Sequence, residues 1–143
     1  MPRESAWRDT VSRAKLPQLW MNLALAVREL STCRRSQVGC VITTADFEQV
    51  LGVGYNGNAM GLANTCDLDE VGNCGCIHAE VNALIKVGAG RRDKVIFTTM
   101  GPCLACAKLI LNSGCSKLRY YAPYRDSSGL ALLDEVGIDV RPV

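Results

Sequence analysis

Several shortages in this sequence each exclude a class of function. Charge is nearly balanced, with 16 Lys and Arg against 14 Asp and Glu for a formal +2 at pH 7. The chain therefore lacks the basic surplus of a non-specific nucleic-acid binder. Aromatic residues are only 6% of the total, leaving few rings on which unstacked bases could be held. No run approaches the roughly 20 consecutive apolar residues of a membrane span. The opening Met1-Pro2-Arg3-Glu4-Ser5 has no apolar stretch of the kind a secretory leader carries. A cytoplasmic protein is expected, with neither a membrane nor a nucleic acid as partner. In that compartment the eight cysteines are metal ligands or buried thiols, with a secreted disulfide protein as the minor alternative. There is one histidine, His78.

That histidine begins His78-Ala79-Glu80, and further on comes Pro102-Cys103-Leu104-Ala105-Cys106. Together they supply one imidazole, two thiols and one carboxylate, in the H-x-E…P-C-x-x-C arrangement of zinc-dependent nucleobase deaminases. One His and two Cys make a three-ligand zinc set that leaves a fourth position for water. Cys103 and Cys106 are three apart, so on one helical turn both sulfurs face the same way. Pro102 suits the start of that helix, whose partial positive charge favours thiolate over thiol. His78 and Glu80, two apart, cannot share a helix face. His78 is expected to ligate, and Glu80 to reach the bound water, whose pKa zinc lowers towards neutrality. A lone helical histidine is usually structural, and Cys-x-x-Cys alone could be a redox pair or half a zinc knuckle. The carboxylate at the right offset favours a catalytic site over a zinc-stabilised binding module, which gains nothing from an unligated acid beside the metal.

The whole chain, 1–143, reads as one domain. A polar leader runs to Lys15. A helix from Pro17 to about Leu30 carries Leu19, Trp20, Leu23, Ala24 and Val27 as its apolar stripe. Val38–Thr43 and Val50–Gly54 read as an antiparallel hairpin. Tyr55–Cys76 is a long loop, which in a small domain is usually functional. Helix 79–87, strand 94–99, helix 103–112, strand 118–121, helix 128–136 and strand 138–141 follow. This alternation argues a parallel sheet covered on both faces, with ligands at the carboxyl ends of its strands. Gly52-Val53-Gly54-Tyr55-Asn56-Gly57 matches a dinucleotide fingerprint, but helix formers are scarce after it. Its glycines are expected to let the backbone turn sharply, with Asn56 presenting an amide to a ligand.

Beyond these motifs the chain resembles the deoxycytidylate deaminases of the cytidine deaminase superfamily. The resemblance is carried by Ser31-Thr32-Cys33-Arg34-Arg35-Ser36-Gln37-Val38-Gly39, Gly54-Tyr55-Asn56-Gly57, Cys76 to Ala83, Gly101 to Lys108, Asn112-Ser113-Gly114 and Tyr121-Ala122-Pro123-Tyr124. It implies an α/β fold, a three-layer α/β/α sandwich with a five-stranded mixed sheet. It also implies hydrolysis of dCMP to dUMP and ammonia, with zinc-bound hydroxide attacking C4 and Glu80 shuttling the proton. Metal ligands would be His78, Cys103 and Cys106; Ala79 and Cys103 would offer backbone groups to the base. Asn56 and Asn82 would contact the sugar, and Arg35, with Arg34 or Tyr124, the 5′-phosphate. A homo-oligomer, often a hexamer, and control by dCTP and dTTP, with Mg2+ accompanying the dCTP effector, are implied as well.

Some relatives bind a second, structural zinc near the loop before His78. Cys66 and Cys74, with Cys33 or Cys76, are its candidates here. No complete set of four is visible in the sequence, and small buried thiols are the preferred reading. Cys40 and Cys115 read as core. The competing substrates are a free nucleoside, a tRNA adenosine, or a pteridine- or flavin-precursor base.

Overall fold

The computed structural model describes residues 13–88 and 90–143, so most of the expected polar leader lies outside it. Helix α1 (Leu16–Val27) has its proline in the first turn and passes into a 3-10 turn, Arg28–Leu30. It buries Met21, Ala24 and Val27, whereas Leu19, expected on the same stripe, faces solvent. The indole of Trp20 donates 2.8 Å to the Phe47 carbonyl, tying α1 to the turn of the following hairpin.

That hairpin is β1 (Gly39–Thr44) and β2 (Val50–Tyr55), antiparallel as expected. Then follow α2 (Ala79–Val87), β3 (Lys94–Met100), α3 (Leu104–Asn112), β4 (Cys115–Ala122), α4 (Ser128–Val136) and β5 (Asp139–Pro142). The sheet order is β2-β1-β3-β4-β5. β1 pairs antiparallel with both neighbours, while β3, β4 and β5 run parallel. The short turn allows only the antiparallel pairing, and the helical crossovers of the second half return each strand in the same direction.

The result is the three-layer sandwich with a five-stranded mixed sheet. Successive strand residues point to opposite faces. Val41, Val95 and Phe97 pack under α1 with Met21 and Ala24. Their neighbours Ile42, Ile96 and Leu118 pack against Ala83, Ala107, Ile110 and Leu133 of α2, α3 and α4. A strand buried on both faces reads as a continuous apolar run, which is why β1 and β3 were plain in the sequence. β4 is longer than its pattern suggested, because Lys117 interrupts it. The Lys117 ammonium lies 4.9 Å from the Phe47 ring centroid and 3.3 Å from the Ala45 carbonyl, so the charge is satisfied at the sheet's rim.

The glycines of Gly52-x-Gly54 lie inside β2 rather than at a turn, which corrects the expectation. A Cβ on Gly54 would sit 2.5 Å from both the Ala79 carbonyl oxygen and the Ala83 nitrogen; one on Gly52 would come within 3.0 Å of Val87 Cγ2. These glycines let the backbone of α2 lie directly on the strand, a role known for glycine in strands. Gly54→Ala must push α2 off the sheet. It is expected to lower stability by about 1–3 kcal/mol, the usual cost of overpacking, read by denaturant unfolding.

Candidate active site

The two motifs converge where α2 and α3 begin, beside the carboxyl end of β3. His78 is the residue before α2, with an extended backbone (φ −68°, ψ 152°), and its carbonyl accepts from the Asn82 amide at 3.1 Å. Cys103 stands in the same position before α3, and its sulfur accepts from the Cys106 amide at 3.5 Å. Pro102 is therefore one residue outside the helix rather than in its first turn. The turn is held from both sides. The Gly101 amide donates to Ala122 at 2.8 Å, and Gly129 of α4 lies so close that a Cβ there would come 2.3 Å from the Pro102 carbonyl.

His78 Nδ1 lies 3.3 Å from Cys106 Sγ and 3.6 Å from Cys103 Sγ. Tetrahedral zinc with Zn–S about 2.3 Å and Zn–N about 2.05 Å would separate N and S ligands by roughly 3.5 Å. The three donor atoms thus fit one ion. Their proton affinities are already split. The Cys103 thiol is pulled down to about 4 by hydrogen bonding from Cys106 and from His78. The same contact, together with burial, pushes the Cys106 thiol far up. The bond to Cys103 also raises His78.

Glu80 opens the first turn of α2 and is buried. Burial raises its carboxyl above the usual range. The Thr98 hydroxyl lies 3.3 Å from Glu80 Oε1 and 2.7 Å from the Met100 carbonyl. One hydroxyl proton cannot serve both, and the shorter contact takes it. The Glu80 carboxyl keeps its own backbone amide as a donor and lines the cavity.

This cavity, about 310 Å³, is lined at depth by His78, Ala79, Glu80 and Cys103. Asn56, Arg35 and Tyr124 line it as well. The Asn56 amide is mostly spent on the segment that leads into β1. Its Oδ1 accepts from Ser31 at 2.6 Å and from the Val38 amide at 2.9 Å, and its Nδ2 donates to the Ser36 carbonyl at 2.6 Å. One amide hydrogen is left for a ligand. Asn82 does not line the cavity, contrary to expectation. It donates 2.9 Å to the Tyr55 carbonyl instead, because its place one turn into α2 faces β2. Arg34 is exposed and is not a lining residue either. Arg125, which the sequence reading did not single out, is one; only its place next to Tyr124 could have signalled it.

The four thiols Cys33, Cys66, Cys74 and Cys76 form a second cluster, which corrects the preferred reading of them as unrelated buried thiols. Cys33 Sγ is 3.8 Å from Cys66 and 3.7 Å from Cys74, and Cys66 is 3.8 Å from Cys76. The sulfurs of a ZnS4 tetrahedron with bonds of about 2.3 Å stand roughly 3.8 Å apart. Only Cys33 is fully buried, so packing alone does not account for the gathering. Sequence spacing concealed the set because Cys33 joins it from 33 residues upstream of Cys66.

In metal-free protein at pH 6, Cys103 is expected to be ionised and Cys106 protonated. Iodoacetamide should then modify Cys103 well before Cys106, as read by peptide mass spectrometry.

The model of the cytidine and deoxycytidylate deaminase zinc-binding region matches residues 14–122. Deoxycytidylate deaminase of Saccharomyces cerevisiae is 33% identical over 135 residues, 85% of this chain, but the chain spans only 43% of that longer protein. The deoxycytidylate deaminase of Mycobacterium phage D29 is 32% identical, over 77% of this chain and 97% of the phage protein. A crystal structure of dCMP deaminase from the cyanophage S-TIM5 in complex with dCMP and dUMP superposes with a TM-score of 0.80 at 30% identity. It covers 90% of this chain and 97% of that one. Fold, motif placement and sequence agree: the chain belongs to the cytidine and deoxycytidylate deaminase family.

Proposed function

We propose that the chain hydrolyses dCMP to dUMP and ammonia. The observation that carries this reading is the position of Glu80, a buried carboxyl on the wall of the cavity that holds the His78, Cys103 and Cys106 donors. A structural metal site has no use for it. The likeness to phage deoxycytidylate deaminases over nearly their whole length supports the choice of substrate.

His78, Cys103 and Cys106 would hold zinc, which when bound supplies Lewis acidity and lowers the pKa of a coordinated water towards neutrality. Glu80 takes a proton from the attacking water and delivers it to N3 of the cytosine, then helps the exocyclic amine leave as ammonia. Burial, which raises the Glu80 carboxyl, suits it to hold a proton between those two transfers. Ala79, fully buried in the wall, brings backbone against the base edge. The remaining Asn56 amide hydrogen faces the sugar. Cys33, Cys66, Cys74 and Cys76 would hold a second zinc with no open position, a structural site.

Glu80→Gln is expected to retain zinc and lose at least about a thousandfold in kcat, the upper range for loss of a general acid–base; near-normal turnover would remove the proton-carrier role. Wild-type protein should carry two zinc ions per chain by elemental analysis. Cys103→Ala and Cys74→Ala should each remove a different one. Activity should vanish only with the first; full zinc in Cys103→Ala would mean that the ligand set is wrong.

A further inference from the structure

Between Cys66 and Cys74 the chain makes a small closed lobe. The Leu68 amide donates 2.9 Å to the Cys74 carbonyl, and the Asn73 amide 3.1 Å to the Glu70 carbonyl. Gly72, at the third position of that turn, has φ +78°, which a type II turn requires. The lobe carries three acids, and two are engaged within their own loop. Asp67 accepts from Asn58 at 3.0 Å, and Glu70 from Asn73 at 3.2 Å. The third, Asp69, is fully exposed and reaches out of the lobe to pair with Arg35.

Next to it, the tip meets the other arginine of the cavity. Arg125 Nη2 lies 3.5 Å from the Val71 carbonyl and 3.1 Å from the Tyr124 hydroxyl, and the guanidinium carbon is 5.2 Å from the Tyr124 ring centroid. Gly72 presses on the same pair, so that a Cβ there would fall 2.7 Å from Arg125 Nη2 and 2.9 Å from the Tyr124 hydroxyl. Among the described residues Arg125 makes no salt bridge, its nearest charge influence being a minor lowering of the Asp126 carboxyl. Arg35 and Arg125 are the two guanidinium groups lining the cavity, and the tip of one lobe occupies both.

Resting on the proposed reaction, we infer that Asp69 and the Val71 carbonyl are internal stand-ins for the substrate's 5′-phosphate. Arg35 and Arg125 exchange the lobe for the nucleotide when it binds. A dianionic phosphate offers two guanidinium groups charge-assisted, bidentate bonds. The lobe offers one exposed carboxylate and one carbonyl at the limit of hydrogen bonding, so the exchange favours the nucleotide. A nucleoside, lacking the phosphate, leaves the lobe in place. Arg125, with no salt bridge to lose, is the larger contributor to the preference for a nucleotide.

The test compares zinc-loaded wild type with Asp69→Asn, Arg125→Ala and Arg125→Lys. Two quantities are measured: kcat/KM for dCMP over that for deoxycytidine, and the affinity for dUMP over that for deoxyuridine by calorimetry. Arg125→Ala should lower both ratios by roughly 10- to 100-fold, the scale of a lost charged hydrogen bond, and Arg125→Lys by less. Asp69→Asn should raise both, by about 1.5- to 5-fold, the scale of an exposed ion pair. Equal losses on nucleotide and nucleoside in Arg125→Ala, or ratios unchanged or lowered in Asp69→Asn, overturn the inference. The binding arm separates it from the reaction: Arg125-dependent dUMP binding without turnover of dCMP keeps the anion site and sinks the deaminase reading. Undiminished dCMP preference in Arg125→Ala does the reverse.

Discussion

Backbone against backbone, where α2 lies on β2, is the contact from which the rest of this molecule follows. Helices ordinarily stand off a sheet by the thickness of their side chains. Here Gly54 carries none, and the Ala79 carbonyl and Ala83 amide occupy the space a Cβ would fill. The close seat puts the start of α2, hence both His78 and Glu80, deep in the fold rather than at its rim. Ala79 and Ala83, both fully buried, keep the approach narrow from the other side. At the neighbouring helix, Gly129 does the same for the Pro102–Cys103 turn. Two glycines far apart in the chain thus fix the separation of an imidazole and two thiols to within a few tenths of an ångström of what one ion needs.

The electrostatics follow from that placement. An imidazole and two thiols are crowded into one corner beside a buried acid. Without a cation, proton affinities are split: the Cys103 thiol is pulled down to about 4, while Cys106 and His78 are shifted upward. A divalent ion relieves the crowding by replacing protons, so its affinity rises with pH and its entry releases acid. The corner is built to prefer a metal before any substrate arrives.

The layered sheet was legible because burial on both faces writes unbroken apolar runs into β1 and β3, and because each crossover helix stops at a glycine, Gly88, Gly114 or Gly137. The cluster of His78, Glu80, Cys103 and Cys106 was legible because its members are close in sequence to helix starts, where spacing dictates direction. Other features left no such trace. The tetrathiol set draws on residues from Cys33 to Cys76, brought together by a loop without a period, so only three-dimensional closure reveals the fourth member. Asn82 has the right type and motif for a ligand contact, yet which neighbour a helix side chain meets is decided by packing. Arg125 looks like any solvated arginine until the lobe carrying Val71 folds over it.

The amide of Asn82, with the ammonium of Lys86 one turn on, has a consequence for the company this protein keeps. β2 is an outer strand, and such strands invite pairing with another molecule through unclaimed main-chain groups. Asn82 claims the Tyr55 carbonyl at 2.9 Å and Lys86 the Val53 carbonyl at 2.8 Å. At the opposite margin β5 ends in Pro142, which has no amide proton to offer. Two carbonyls of β2 are therefore already taken by side chains of α2, and β5 closes on a residue with no amide to give.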